Sequence, residues 1–171
     1  MSKSTAPQKP VLNFKEIFGK LGLHDRLEGY DLFLGPTHVP LQELEKAYLK
    51  ADMAGMHVGA LVQFNDGSGE LGVVIGRNIH VLDPAHPAAK MPVKVDSSRG
   101  GKAVYSLAEL TRVPLGLEVE GLTHKGAVVS GILSESMLGV DDDESPCGLV
   151  NVAGTSLLVR RFSTLRLVSP L

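Results

Sequence analysis

The fold of this chain is decided by the stretch GALVQFNDGSGELGVVIG, residues 59–76. Val62 and Phe64 alternate with polar residues, a turn of small and polar residues follows, and a second apolar run begins at Gly72. An alternation with a period of two is typical of a β-strand buried on one face. A glycine-rich turn between two such runs predicts a hairpin.

Much of this pattern returns later in the chain. Gly59 and Gly116 are 57 residues apart, and so are Tyr105 and Phe162. An offset kept at both ends indicates a duplicated unit, which has to be recognised before the fold is assigned. Each unit is predicted to hold five short strands with one helical turn before the last strand. The turn is expected at residues 106–110 in the first unit and at 162–165 in the second.

Both units resemble SH3-like barrels of the KOW and Tudor groups, over about residues 57–169. The resemblance implies a mainly β fold with two tandem SH3-like barrels. The first unit departs from the KOW pattern at Glu70 and Leu71, where that pattern has basic residues. This departure argues against nucleic-acid binding. The motifs that carry the resemblance are Val62-x-Phe64, Gly69-x-x-Gly72-x-Val74 and Lys125-Gly126-x-Val128.

The segment before the repeats is predicted to hold an arm and two short helices. Residues 1–10 are small and polar and form either a free tail or an arm that clasps a partner. A helix is expected from Asn13 to about Leu23, and a second one over residues 41–54. The apolar stripe of this second helix is the predicted protein-binding surface; it includes Leu41, Leu44 and Tyr48. The predicted divisions are 1–56 for the arm and helices, 57–115 for the first barrel and 116–171 for the second.

The overall composition narrows the class of protein. The net charge is −2 and tryptophan is absent, whereas a dedicated nucleic-acid binder usually has a basic excess and aromatic platforms. No apolar run reaches the length of a membrane span, and no signal peptide is evident. The single cysteine, Cys147, excludes an internal disulfide framework. A soluble protein without membrane contact is expected, located in the cytoplasm or in a virion.

Residues that could carry chemistry are present, but not in catalytic patterns. His80 and His86 could meet in one loop, yet no third ligand lies beside them. The acidic run 141–144 is predicted to be a solvated loop, with weak calcium binding as the alternative, because EF-hand spacing fails. Cys147 is placed in a loop without a neighbouring base. No catalytic residue, metal or cofactor is therefore predicted.

The leading expectation is a non-enzymatic structural or interaction protein of a larger assembly. Its partners would be other proteins or copies of itself, and a capsid or tail accessory subunit of a virion is the specific hypothesis. The alternative is a KOW-like nucleic-acid-binding module that uses the densest basic cluster, Arg160, Arg161 and Arg166. An enzyme would need residues from both repeats to meet at their junction.

Overall fold

The computed structural model describes residues 41–82 and 85–171 and is mainly β. One α-helix, α1, spans Leu41–Met53, and none of the described helices is long and apolar enough to cross a membrane. The arm and the helix predicted from Asn13 lie outside the described residues. The described residues form ten strands: β1 Leu61–Phe64, β2 Leu71–Arg77, β3 Val93–Ser97, β4 Gly101–Tyr105, β5 Leu110–Arg112, β6 Leu117–Thr123, β7 Val128–Val140, β8 Pro146–Val152, β9 Thr155–Leu158 and β10 Phe162–Leu167.

The strands form two antiparallel five-stranded sheets with the same connectivity. The first sheet has the order β4-β3-β2-β1-β5, and the second has the order β9-β8-β7-β6-β10. In both, the last strand lies beside the first, and a 3₁₀ turn immediately precedes it, at Leu107–Glu109 and Val159–Arg161. The two sheets therefore share one strand order. Within the described residues neither sheet closes on itself, so each predicted barrel is observed as an open sheet.

The helical turn of the second unit was predicted in the wrong place. Residues 162–165 belong to β10, and the turn lies earlier, at Val159–Arg161. Tyr105 ends β4, whereas Phe162 begins the last strand of its sheet, so the 57-residue spacing between them does not join equivalent positions. The physical reason is that the last strand of the second sheet already begins at Phe162. The side chains of Phe162, Leu165 and Leu167 on this strand are buried.

The apolar side chains form two clusters, and β2 contributes to both. Val74 points into the cluster between the first sheet and α1, whereas Leu71 and Val73 belong to the cluster of the second sheet. Every residue of β2 is buried. The two units therefore share apolar packing rather than burying their cores independently. The second cluster comprises Leu61, Leu71, Val73, Val113, Val119, Leu133, Val150, Val152, Val159, Phe162, Leu165 and Leu167.

Polar contacts also join the two units. The carboxylate of Asp96 is fully buried, and its Oδ2 accepts a hydrogen bond of 2.9 Å from the Gly148 backbone N–H. Gly148 has to lack a side chain, because a Cβ there would lie 2.8 Å from the Cβ of Val73. Ser136 Oγ donates to the Gly59 carbonyl at 2.7 Å. These contacts fix the second sheet against β2, β3 and the residue Gly59 that precedes β1.

The helix α1 packs on the first sheet through part of its predicted stripe. Tyr48 is buried, and its hydroxyl donates to the Asn78 carbonyl oxygen at 3.4 Å. Burial raises the pKa of this phenol. Leu41 and Leu44 lie in α1, but their side chains are outside what the structure describes, so their predicted role in protein binding stays a prediction.

Candidate functional site

A cleft of about 740 Å³ lies on the open side of the second sheet. It is bounded by the hairpin between β6 and β7, the turn after β7, strand β9 and the 3₁₀ turn Val159–Arg161. Its apolar residues include Val129, Leu157 and Leu158, and its charged residues include Lys125 and Arg161. The cleft thus combines an apolar base with a charged rim.

The base of the cleft is continuous with the core of the second sheet. Val129 and Leu157 are half-buried and pack against the second apolar cluster. The sheet does not close beside Leu157, because β9 is its outermost strand and, among the described strands, pairs only with β8. The cleft is therefore an opening onto the core, and whatever covers it would bury Val129 and Leu157 further.

The basic part of the rim is held by the tip of the β6–β7 hairpin. The backbone N–H of His124 donates to the Arg161 carbonyl at 3.0 Å, and its Nε2 lies 3.1 Å from the Arg160 carbonyl. The second contact requires the proton on Nε2. Lys125, the next residue, lines the same cleft as Arg161. Among the described residues, neither Lys125 nor Arg161 has a carboxylate at ion-pair distance.

Asp141 is the most highly connected polar residue of the cleft. It accepts backbone hydrogen bonds from Asp143 at 3.0 Å and Ser145 at 2.9 Å, and it forms ion pairs with Lys102 and Arg160. Its side chain is only 6% exposed. The predicted solvated loop is therefore wrong for Asp141. Since Lys102 lies in β4, Asp141 also joins the two units.

These donors make the stability of the fold dependent on pH. The Ser145 backbone N–H, with Lys102 and Arg160, lowers the pKa of Asp141 from its usual 3.8 to about 2, although desolvation opposes this shift. A carboxyl whose folded pKa is depressed stabilises the fold above its unfolded pKa, and that contribution disappears as the pH falls through the folded value. The window therefore runs from about pH 4 to about pH 2.

We expect Asp141→Asn to melt at a lower temperature than the wild type at pH 7, because an amide cannot form the two ion pairs. This difference should shrink between pH 4 and pH 2, where the wild-type carboxylate becomes protonated. Thermal scans across this range test the expectation. Asp142→Asn, at an exposed position of the same turn, is the matched control and should follow the wild type. A constant difference at all pH values would contradict the assignment.

The cleft does not assemble a set of metal ligands. Within residues 41–82 and 85–171, no three His, Cys, Asp or Glu side chains are grouped so that they could hold an ion. His80 and His86 do meet, with ring centroids 3.9 Å apart and planes 6° from parallel. Nδ1 of His86 accepts the Ala88 backbone N–H at 3.0 Å, so this nitrogen is already engaged and only Nε2 of that ring could coordinate a metal.

We expect purified protein to contain no stoichiometric zinc and to show no rise in melting temperature with calcium. A calcium ion at the acidic turn would have to displace Lys102 and Arg160 from Asp141. Elemental analysis and a calcium-dependent melting scan test this. A calcium shift that is abolished by Asp141→Ala and by Asp143→Ala would establish a metal site at this turn.

Cys147 lies in a strand rather than in the predicted loop. It belongs to β8 and is fully buried. Burial raises the pKa of its thiol, and the neighbouring carboxylates of Asp96 and Asp141 raise it further. A covered thiol that holds its proton is a poor nucleophile.

The structure does not bring the predicted basic cluster together. Arg160 is ion-paired with Asp141, and Arg161 lies on the rim of the same cleft. Arg166 lines a separate cleft of about 520 Å³, where its guanidinium is 3.8 Å from Glu120. Sequence reasoning missed Lys125 as a rim residue, although it had singled out the Lys125-Gly126 turn.

The sequence matches no protein-family model and no curated protein. The geometry of the cleft is therefore what supports a function.

Proposed function

We propose that this protein is a non-enzymatic interaction protein, built from two tandem SH3-like units, that acts through protein–protein contacts in a larger assembly. The observation that carries the proposal is the open side of the second sheet, where an edge strand lies beside an apolar cleft. The assembly would be located in the cytoplasm or in a virion, and a capsid or tail accessory subunit is its specific form.

The strand arrangement supports the SH3-like part of the proposal. In each sheet the last strand pairs with the first, after a 3₁₀ turn, and glycines with positive φ such as Gly59 and Gly116 occupy equivalent positions. An SH3-like barrel with one side left open would have this connectivity. Exposed strand edges are common sites at which another chain adds a strand.

Nucleic-acid binding is the second candidate, supported by Lys125 and Arg161 on the rim. Three observations oppose it. Arg160 is neutralised by Asp141, Arg166 lies in another cleft, and Asp142 and Asp143 line the same cleft as the cations. Phosphate contacts weaken steeply with salt, so binding to an oligonucleotide at low and high salt would reveal this function.

The proposed function is tested by the state of the protein in native extract. We expect sedimentation at an apparent mass well above that of a single chain, in a complex that survives nuclease treatment. Disassembly by nuclease would favour the nucleic-acid candidate instead. A protein that sediments as a single chain at its native concentration would contradict both.

A further inference from the structure

We propose that the cleft of the second sheet binds an extended segment of a partner protein. The segment adds to the free edge of β9, places an apolar side chain on the base, and places a carboxylate against Lys125 and Arg161. This inference rests on the proposed function and specifies the chemistry of the partner.

The shape of the site favours an extended segment. β9 pairs with β8 along its whole length, from Thr155 to Leu158, and with no other described strand. The backbone N–H and C=O groups of a free edge can form a new ladder. Because every second side chain of a strand points to the same face, an added strand would direct alternate side chains towards Val129 and Leu157. The partner segment should therefore have apolar residues at alternate positions.

The charges of the rim favour a carboxylate on that segment. Lys125 and Arg161 line the same cleft and both are exposed, and the His124 backbone N–H, next to Lys125, donates to the Arg161 carbonyl. Arg160, by contrast, already has the carboxylate of Asp141. Hydrogen bonds between a guanidinium or ammonium and a carboxylate are stronger than neutral ones. An acidic side chain would thus complete the ionic pairing of the cleft.

The acidic turn excludes a uniformly charged ligand. Asp142 and Asp143 line the cleft together with the two cations. A nucleic acid carries a phosphate at every nucleotide and would place some of them near these carboxylates. A peptide can carry its negative charge at one position only, facing Lys125 and Arg161, and leave the acidic turn free of like charge. The cleft thereby also sets the direction of the bound segment.

The test uses two capped hexapeptides that alternate valine with serine, one with a single glutamate in place of a serine and one with a single lysine at the same position. With the full chain at low salt, titration followed by NMR should give about tenfold tighter binding of the glutamate peptide. Amide shifts should concentrate in β9 and the β6–β7 hairpin. Lys125→Glu with Arg161→Glu should reverse the preference, whereas Arg166→Glu, a matched charge reversal in the other cleft, should leave it unchanged.

Each alternative outcome counts against the inference. Equal affinity for the two peptides, no binding of either, or tighter binding of a single-stranded RNA oligonucleotide would overturn it. Dimerisation of the chain that the double charge reversal abolishes would assign the cleft to a second copy instead. If the native complex persists but the glutamate peptide does not bind, the inference fails while the proposed function stands. If the chain sediments alone, the proposed function fails. Since Lys125 and Arg161 are exposed, unchanged melting temperatures will show that the variants fold.

Discussion

Val73→Asp is expected to destabilise both sheets together, lowering the free energy of unfolding by on the order of 4 kcal/mol. Val73 lies in β2 of the first sheet, is fully buried, and packs against Gly148 and the apolar cluster of the second sheet. Aspartate at this position would bury a charge without a partner. Because the cluster is shared, the damage should reach residues that are distant in sequence.

Urea unfolding followed by circular dichroism measures the loss, and amide exchange shows where it falls. Val128→Asp is the matched control, since Val128 is 68% exposed on the second sheet, and it should change stability by no more than about 0.5 kcal/mol. The contrary result would be that Val73→Asp opens only the first sheet and leaves the amides of β6–β10 protected. The two units would then fold independently, and the shared cluster would contribute little to the stability of the fold.

Phe162→Ala is expected to lower the free energy of unfolding by about 3–5 kcal/mol, because it removes a large, fully buried side chain and leaves a cavity. The ring is closely surrounded: a Cβ built on Gly121 would lie 2.6 Å from it. The side chains around the ring are therefore closely packed and have little free space. Chemical denaturation measures the effect.

Ser163→Ala provides the control for this substitution. The Ser163 hydroxyl donates to the Leu122 carbonyl at 2.9 Å at an exposed site, so its loss should cost about 1 kcal/mol or less. Comparable losses for Phe162→Ala and Ser163→Ala would contradict the placement of Phe162 in the core of the second sheet.

The local pattern of the first unit was enough to predict its elements. Alternation around Val62 and Phe64 and the glycines from Gly69 to Gly76 predicted β1, the turn and β2, and these lie within a residue or two of their predicted positions. The helical turn capped at Ser106 was also predicted, and there the Ser106 N–H donates to the Glu109 carboxylate at 2.8 Å. These features depend on neighbours a few residues apart, which a sequence pattern reports directly.

The polar contacts of the site could not be predicted in the same way. In the sequence, Asp141 is one of four consecutive acidic residues in a predicted loop. In the structure it is bound by Lys102, 39 positions earlier, and by Arg160, 19 positions later. Lys125 and Leu157 likewise line one cleft only because the second sheet is folded. Nothing in the residues adjacent to them indicates those contacts.

By itself, the sequence determined that this is a mainly β protein, because glycine positions and a period of two act over short distances. Only the tertiary structure decided that the two units share one apolar cluster through β2, that Asp141 is a half-buried, ion-paired junction between them, and that the second sheet remains open beside β9. The reason is that burial and ion pairing depend on which distant segments come together. That choice is made by packing of whole sheets, whose lengths and bulges no local pattern specifies.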